Sequence, residues 1–204
     1  GVLFMRLTLA NKITIARILL IIPYVICMVT ANDSGIPVIL RYLAVFLFFA
    51  MGFSDFLDGY FARKNHQISS LGTFLDPLAD KLLIIISCLL LAAEATAVPG
   101  FRLPPVVVVL IIGKDIILLL GFVILYLITQ DFHIKPRVPG KFSTFIQIAM
   151  VLSILVAPEM AKIAGFWPVF VKILWWTAAS LAILSTIVYI RAGIKYIEEF
   201  EETQ

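Results

Sequence analysis

The chain reads as an all-α integral membrane protein of six transmembrane helices, preceded by an N-terminal interfacial segment. Three observations carry that reading. Hydrophobic residues occupy 62% of the 204 positions, and the mean hydropathy of +1.07 lies well above that of a soluble domain. Six apolar runs of about the length a spanning helix needs, roughly 20 residues, follow one another at 12–31, 38–61, 73–97, 104–129, 142–160 and 168–192. Turn-forming residues punctuate their ends: Asn32 to Gly35, Pro99-Gly100, Pro104-Pro105, Pro136 to Gly140, and Pro168. No polar block is long enough for a soluble domain, so residues 1–204 are expected to form one membrane domain. No nucleic-acid partner is expected.

Gly1 to Phe4, ahead of Met5, are expected to be an expression scar. The stretch from Met5 to Arg17 is read as interfacial, feeding the first spanning helix, with Asn11 as that helix's cap. The first run is too long for a signal-peptide core and carries Thr14 and Arg17, so it is read as a retained helix. The second and third runs hold the acidic residues discussed below. The fourth carries Lys114-Asp115 in mid-run, a depth at which a charged dipeptide does not face lipid. The fifth follows a basic loop containing Lys135, Arg137 and Lys141, and the sixth ends in an acidic, solvated tail from Glu198 to Glu202. Cys27 and Cys88 lie inside apolar runs without metal-ligand spacing and are read as buried small hydrophobes. His133 has no partner at metal or triad spacing and receives no role.

Charge distribution orients the six-span arrangement. Arg6, Lys12, Arg17, Arg63, Lys64, Lys135, Arg137, Lys141, Arg191 and Lys195 fall on one side, and only Arg41, Arg102, Lys162 and Lys172 on the other. The positive-inside rule then places both termini, and the acidic segment between the second and third runs, on the cytoplasmic side. The basic side would also attract anionic membrane lipids.

Against this apolar background four carboxylates stand close together. Asp55 and Asp58 are three residues apart and Asp76 and Asp80 four apart, so each pair shares a helix face. Carboxylates this close repel one another and shift to neutral forms unless a cation holds them. An all-oxygen set suits a hard divalent ion, magnesium or manganese, better than zinc. Gly59 lies one turn beyond Asp55 and Ala62 one turn beyond Asp58, leaving room beside the acids, and Gly72 lies one turn before Asp76. Arg63 offers a guanidinium for a phosphate.

The stretch from Asp55 to Asp80 resembles the signature D-x2-D-G-x2-A-R-x8-G-x3-D-x3-D of the CDP-alcohol phosphotransferases, matching eight identities over 26 residues without a gap. The resemblance implies a two-metal site with Asp55, Asp58 and Asp76 as ligands. Asp80 would be both a ligand at the edge and the general base. Gly59, Ala62, Arg63 and Gly72 would line the nucleotide site. It further implies transfer of the phosphatidyl group of CDP-diacylglycerol to an alcohol, release of CMP, and a homodimer.

Asn11-x-x-Thr14-x-x-Arg17 is similar to the N-terminal pattern of bacterial members, in which Thr and Arg face the active-site cavity. Snorkelling of Arg17 to headgroups is the competing reading. Lys114-Asp115 is similar to a basic-acidic pair in relatives, against which stands a structural ion pair with Lys81. Gly140-Lys141-x-x-Thr144 resembles the start of the fifth helix in relatives, where the Lys faces an acceptor phosphate. A merely topological role is the alternative for Lys141, Lys135 and Arg137. Length and the Asp-Pro-Leu-Ala-Asp-Lys run resemble the members that use glycerol 3-phosphate. The fourth run lacks the downstream Arg usual in those members, a departure toward members that use phosphatidylglycerol and make cardiolipin. An inositol phosphate acceptor is a third reading. A non-enzymatic ion-binding or transport protein would predict broken helices in both halves, whereas the acids here concentrate in one.

Overall fold

The computed structural model describes residues 9–31, 37–65, 70–129 and 138–201, with side chains over 14–31, 38–54, 81–121 and 142–195. Seven helices and no strand make up this part: α1 (Leu9–Ala31), α2 (Pro37–Asn65), α3 (Ser70–Ala92), α4 (Pro105–Thr129), α5 (Val138–Leu155), α6 (Ala157–Ile163) and α7 (Trp167–Glu201). α1 packs on α2 and α3, and α7 packs on α4, α5 and α6. The two groups meet where α3 touches α4 and α5, and where α2 touches α5.

The helices follow from apolar stretches with few breakers, and their ends follow from the punctuation. Pro105 occupies the first position of α4, where its missing amide hydrogen costs nothing. Ahead of it, Val98-Pro99-Gly100-Phe101 closes a turn in which the Phe101 amide donates to the Val98 carbonyl at 2.9 Å. Gly100 takes φ +78°, the left-handed value that the third position of a type II turn demands. The same loop satisfies the last carbonyls of α3. Thr96 Oγ1 donates to Leu90, the Leu103 amide to Leu91, and Arg102 Nε to Ala92.

Burial differs from that of a soluble protein, because the exterior is as apolar as the core and several polar side chains are interior. Leu19, Ile22, Ile26, Phe46, Val109, Leu119, Phe145 and Leu184 are all exposed, while Thr14, Arg17, Lys114, Ser143, Gln147 and Ser185 are buried. An apolar exterior around polar interior positions is what lipid as solvent requires. The core is built from Tyr24, Phe48, Met51, Cys88, Leu91, Ile111, Met150, Ile154 and Trp175. Ala178, Ala179 and Ala182 present a small-residue stripe on α7, which lets helices approach closely. Cys27 and Cys88 are free and buried, as expected.

The six-span expectation is met in part, and two other sequence expectations are revised. Of six spans, two among the described residues are long and apolar enough to cross a membrane, Thr14–Ala31 and Trp167–Lys195. A third is a broken pair, and Val38–Ser54 and Lys81–Ala92 are shorter apolar stretches within the described side chains of α2 and α3. The fifth run is not one helix: α5 and α6 meet at 73°. Pro158 has no amide hydrogen for the Ile154 carbonyl, and its ring clashes there, so the helix ends and restarts through Val156. Asn11 does not cap α1, because the helix is already under way at Leu9. Residues 5–8 of the interfacial segment lie outside the described residues.

Arg41 on α2, counted above among the cations of the less basic side, is ion-paired through Nη2 to Glu159 Oε1 on α6. The two side chains retain only 12% and 25% exposure, so the pair pins the tilted α6 to the bundle. Glu159→Ala is expected to lower stability by about 1–3 kcal/mol, because it strands a largely buried guanidinium. Arg41→Met/Glu159→Leu is expected to recover most of that loss. Thermal unfolding of both variants in detergent measures the difference.

Candidate functional site

Register is what assembles the candidate site. On α2, Ala44, Phe48 and Met51 are fully buried, and steps of four and three residues continue that stripe through positions 55, 58 and 62 of the same unbroken helix. The α2 backbone therefore sets Asp55, Asp58 and Ala62 on the face that builds the core. On α3, positions 76 and 80 share a face with Leu83, Ile84 and Ser87, all buried. α2 and α3 are in contact, and each Asp pair is in phase with the buried positions farther along its own helix. Gly59 and Arg63 fall on α2, and Gly72 on α3. The side chains of Asp55, Asp58, Gly59, Ala62, Arg63, Gly72, Asp76, Asp80 and Lys141 lie outside the described residues, as do Lys135 and Arg137 altogether. Among described side chains no group of three or more His, Cys, Asp or Glu could hold a metal. The donor set at positions 55, 58, 76 and 80 remains oxygen-only and fits a hard divalent cation.

α1 supplies the third wall. Thr14, Arg17, Ile21, Tyr24 and Met28 form one buried stripe at alternating three- and four-residue steps. Arg17, at 1% exposure, is buried in the bundle, which removes the snorkelling alternative. Deeper along the stripe, Tyr24 Oη donates to Ser87 Oγ at 3.0 Å, and Ser87 Oγ donates to the Leu83 carbonyl at 2.7 Å. This clamp fixes the rotation of α1 against α3, the helix that carries Asp76 and Asp80.

α4 adds charge. Lys81 Nζ on α3 lies 2.5 Å from Asp115 Oδ1, and Lys114 Nζ lies 3.0 Å from the same oxygen. The structural ion pair weighed from the sequence thus exists, with Lys114 joined to it. On α5, Ser143 and Gln147 are buried, and Gln147 Nε2 donates to Ser143 Oγ at 3.3 Å. Sequence reading passed over both, and over Tyr24 and Ser87. The available signal was their three- and four-residue phase with the buried apolar positions of the same helices.

A family model described as CDP-alcohol phosphatidyltransferase matches residues 7–188. Curated relatives named CDP-diacylglycerol–glycerol-3-phosphate 3-phosphatidyltransferase are also similar to this chain. The one from Aquifex aeolicus is 39% identical over 112 residues, 55% of this chain and 58% of its own length. That from Rickettsia felis is 33% identical over 92% of this chain and 96% of its own. That from Bacillus subtilis is 31% identical over 87% and 90% respectively.

The α1–α3 clamp makes an asymmetric prediction. Ser87→Ala leaves the buried Tyr24 hydroxyl without an acceptor and is expected to cost about 1–3 kcal/mol. Tyr24→Phe leaves Ser87 bonded to the Leu83 carbonyl and is expected to cost less, about 1 kcal/mol. Denaturation of the two variants side by side checks the order.

Proposed function

Because the chain belongs to the CDP-alcohol phosphatidyltransferase family, we propose that it transfers the phosphatidyl group of CDP-diacylglycerol to the hydroxyl of glycerol 3-phosphate and releases CMP. The observation that carries the acceptor is similarity along nearly the whole chain to relatives whose names state that reaction. The phase of each Asp pair with the buried positions of its own helix supports the chemistry. Arg17, Lys135, Arg137 and Lys141, which the charge pattern assigns to the same side, would suit a soluble dianionic acceptor.

In this reading Asp55, Asp58 and Asp76 hold two divalent ions, magnesium or manganese, with Asp80 at the edge of the set. Such ions, when bound, neutralise the pyrophosphate and stabilise the phosphate charge on departing CMP. Asp80 accepts the proton of the acceptor hydroxyl as its oxygen attacks the phosphatidyl phosphorus, and CMP leaves with the electrons of the broken P–O bond. Arg63 binds nucleotide phosphate, and Gly59, Ala62 and Gly72 leave space for the nucleotide beside the carboxylates. Thr14 and Arg17 face the cavity from α1. The charge asymmetry supports an enzyme in the inner membrane with its site open to the cytoplasm, and the family resemblance supports a homodimer.

Labelled CDP-diacylglycerol offered with a panel of alcohols tests the acceptor. Glycerol 3-phosphate is expected to give product, and Lys141→Ala to raise its KM about tenfold while the CDP-diacylglycerol KM stays within about threefold. Product with phosphatidylglycerol and none with glycerol 3-phosphate would overturn the assignment in favour of cardiolipin synthesis.

Exhaustive chelation is expected to abolish CMP release, and added magnesium or manganese to restore it. Undiminished turnover after chelation would remove the metal from the proposal.

A further inference from the structure

The charges between α3 and α4 are an expensive way to hold two helices together. Lys114 is 2% exposed and Asp115 8% exposed at the side chain, and Lys81, itself 39% exposed, reaches the same Asp115 oxygen from the other helix. Asp115 Oδ2 is buried and, among the described residues, accepts no hydrogen bond. Replacing a buried ion pair such as Lys114–Asp115 by apolar side chains of similar size is commonly neutral or stabilising, so stability alone does not account for the arrangement.

What ion pairs add over apolar contacts is direction. Lys81 adjoins Asp80 in the chain, and its side chain is tied across the interface to α4. The tie therefore sets the rotation of α3 about its own axis at the level of Asp80. A side-chain terminus sits roughly 5 Å from a helix axis, so a rotation of about 20° carries it nearly 2 Å. Misplacement by about 1 Å at a reacting centre costs up to roughly 100-fold in rate. Lys114, bonded to the shared oxygen from within α4, restricts the rotamer of Asp115 and so the anchor point itself.

We propose that Asp115 and Lys114 act through Lys81 as positioning residues, holding Asp80 in line with the acceptor hydroxyl. The proposal rests on the phosphatidyl-transfer reading above, with whatever alcohol serves as acceptor.

Asp115→Asn in the purified full chain keeps side-chain size and removes the charge. The expected result is a fall in kcat for CMP release of about tenfold or more, with the CDP-diacylglycerol KM within about threefold of wild type. Manganese affinity, read by electron paramagnetic resonance without turnover, is expected to stay within the same factor. Asp115→Glu should recover part of the lost kcat.

If Asp115→Asn does not fold, Lys81→Met/Lys114→Met/Asp115→Leu carries the test, since it leaves no unpaired charge from the set. This variant is expected to match wild type in thermal stability while kcat stays down by about tenfold or more. Wild-type kcat in either variant, or a loss confined to KM, would overturn the positioning role. Failure of the wild type itself to release CMP with any alcohol would overturn the functional reading and the proposal together. An active wild type with equally active variants would overturn the proposal alone.

Discussion

In a bundle whose outer surface is apolar, charged side chains are least costly on an inward helix register, and that constraint organises the rest of the structure. Arg17, Lys114 and Asp115 are all turned into the bundle, and Arg41 meets Glu159 before either reaches lipid. Each such group must find a partner there, because hydrocarbon offers none. The helices are consequently locked in rotation by polar contacts: α1 to α3 by Tyr24 and Ser87, α3 to α4 by Lys81 and Asp115, and α2 to α6 by Arg41 and Glu159. Apolar packing then fills what those contacts leave.

The same constraint explains why a phosphatidyltransferase can keep carboxylates inside apolar helices. The stripe of Ala44, Phe48 and Met51 on α2 is core, and the positions that follow it in phase are Asp55 and Asp58. One helix face thus serves as packing surface over part of its length and as candidate reaction surface over the next. Gly59 and Ala62 remove side-chain bulk at the transition, where a nucleotide would need space.

Much of this was legible in the chain itself. The Asp spacing, the two helices that carry it and the helical class all follow from periodicity and from a dense motif. The position of Thr14 and Arg17 on one face follows from their three-residue separation. Other features were not legible, for identifiable reasons. The break at Val156 depends on Pro158 in a run that hydropathy alone reads as continuous. The start of α1 ahead of Asn11 reflects a weak capping signal outcompeted by helix-forming neighbours. The pairing of Lys81 with Asp115 was one of two readings open from the sequence, and deciding between them requires knowing which helices touch. Ser143, Gln147 and Ser87 escaped because single small polar residues in an apolar run resemble tolerated substitutions until a partner is seen.

α7 runs for 35 residues without interruption, about 52 Å at 1.5 Å per residue. A hydrocarbon core is only about 30 Å thick, and no ordinary tilt absorbs the difference. The helix must therefore project as a rigid rod well beyond the acyl region. Trp167 at its start is tied to α5 by an indole hydrogen bond to the Ser153 carbonyl. The opposite end is Glu-rich and is the one whose charges require water, so the surplus length belongs there. That end becomes a fixed strut standing off the headgroups, and its height is set by the bundle and not by the lipid around it.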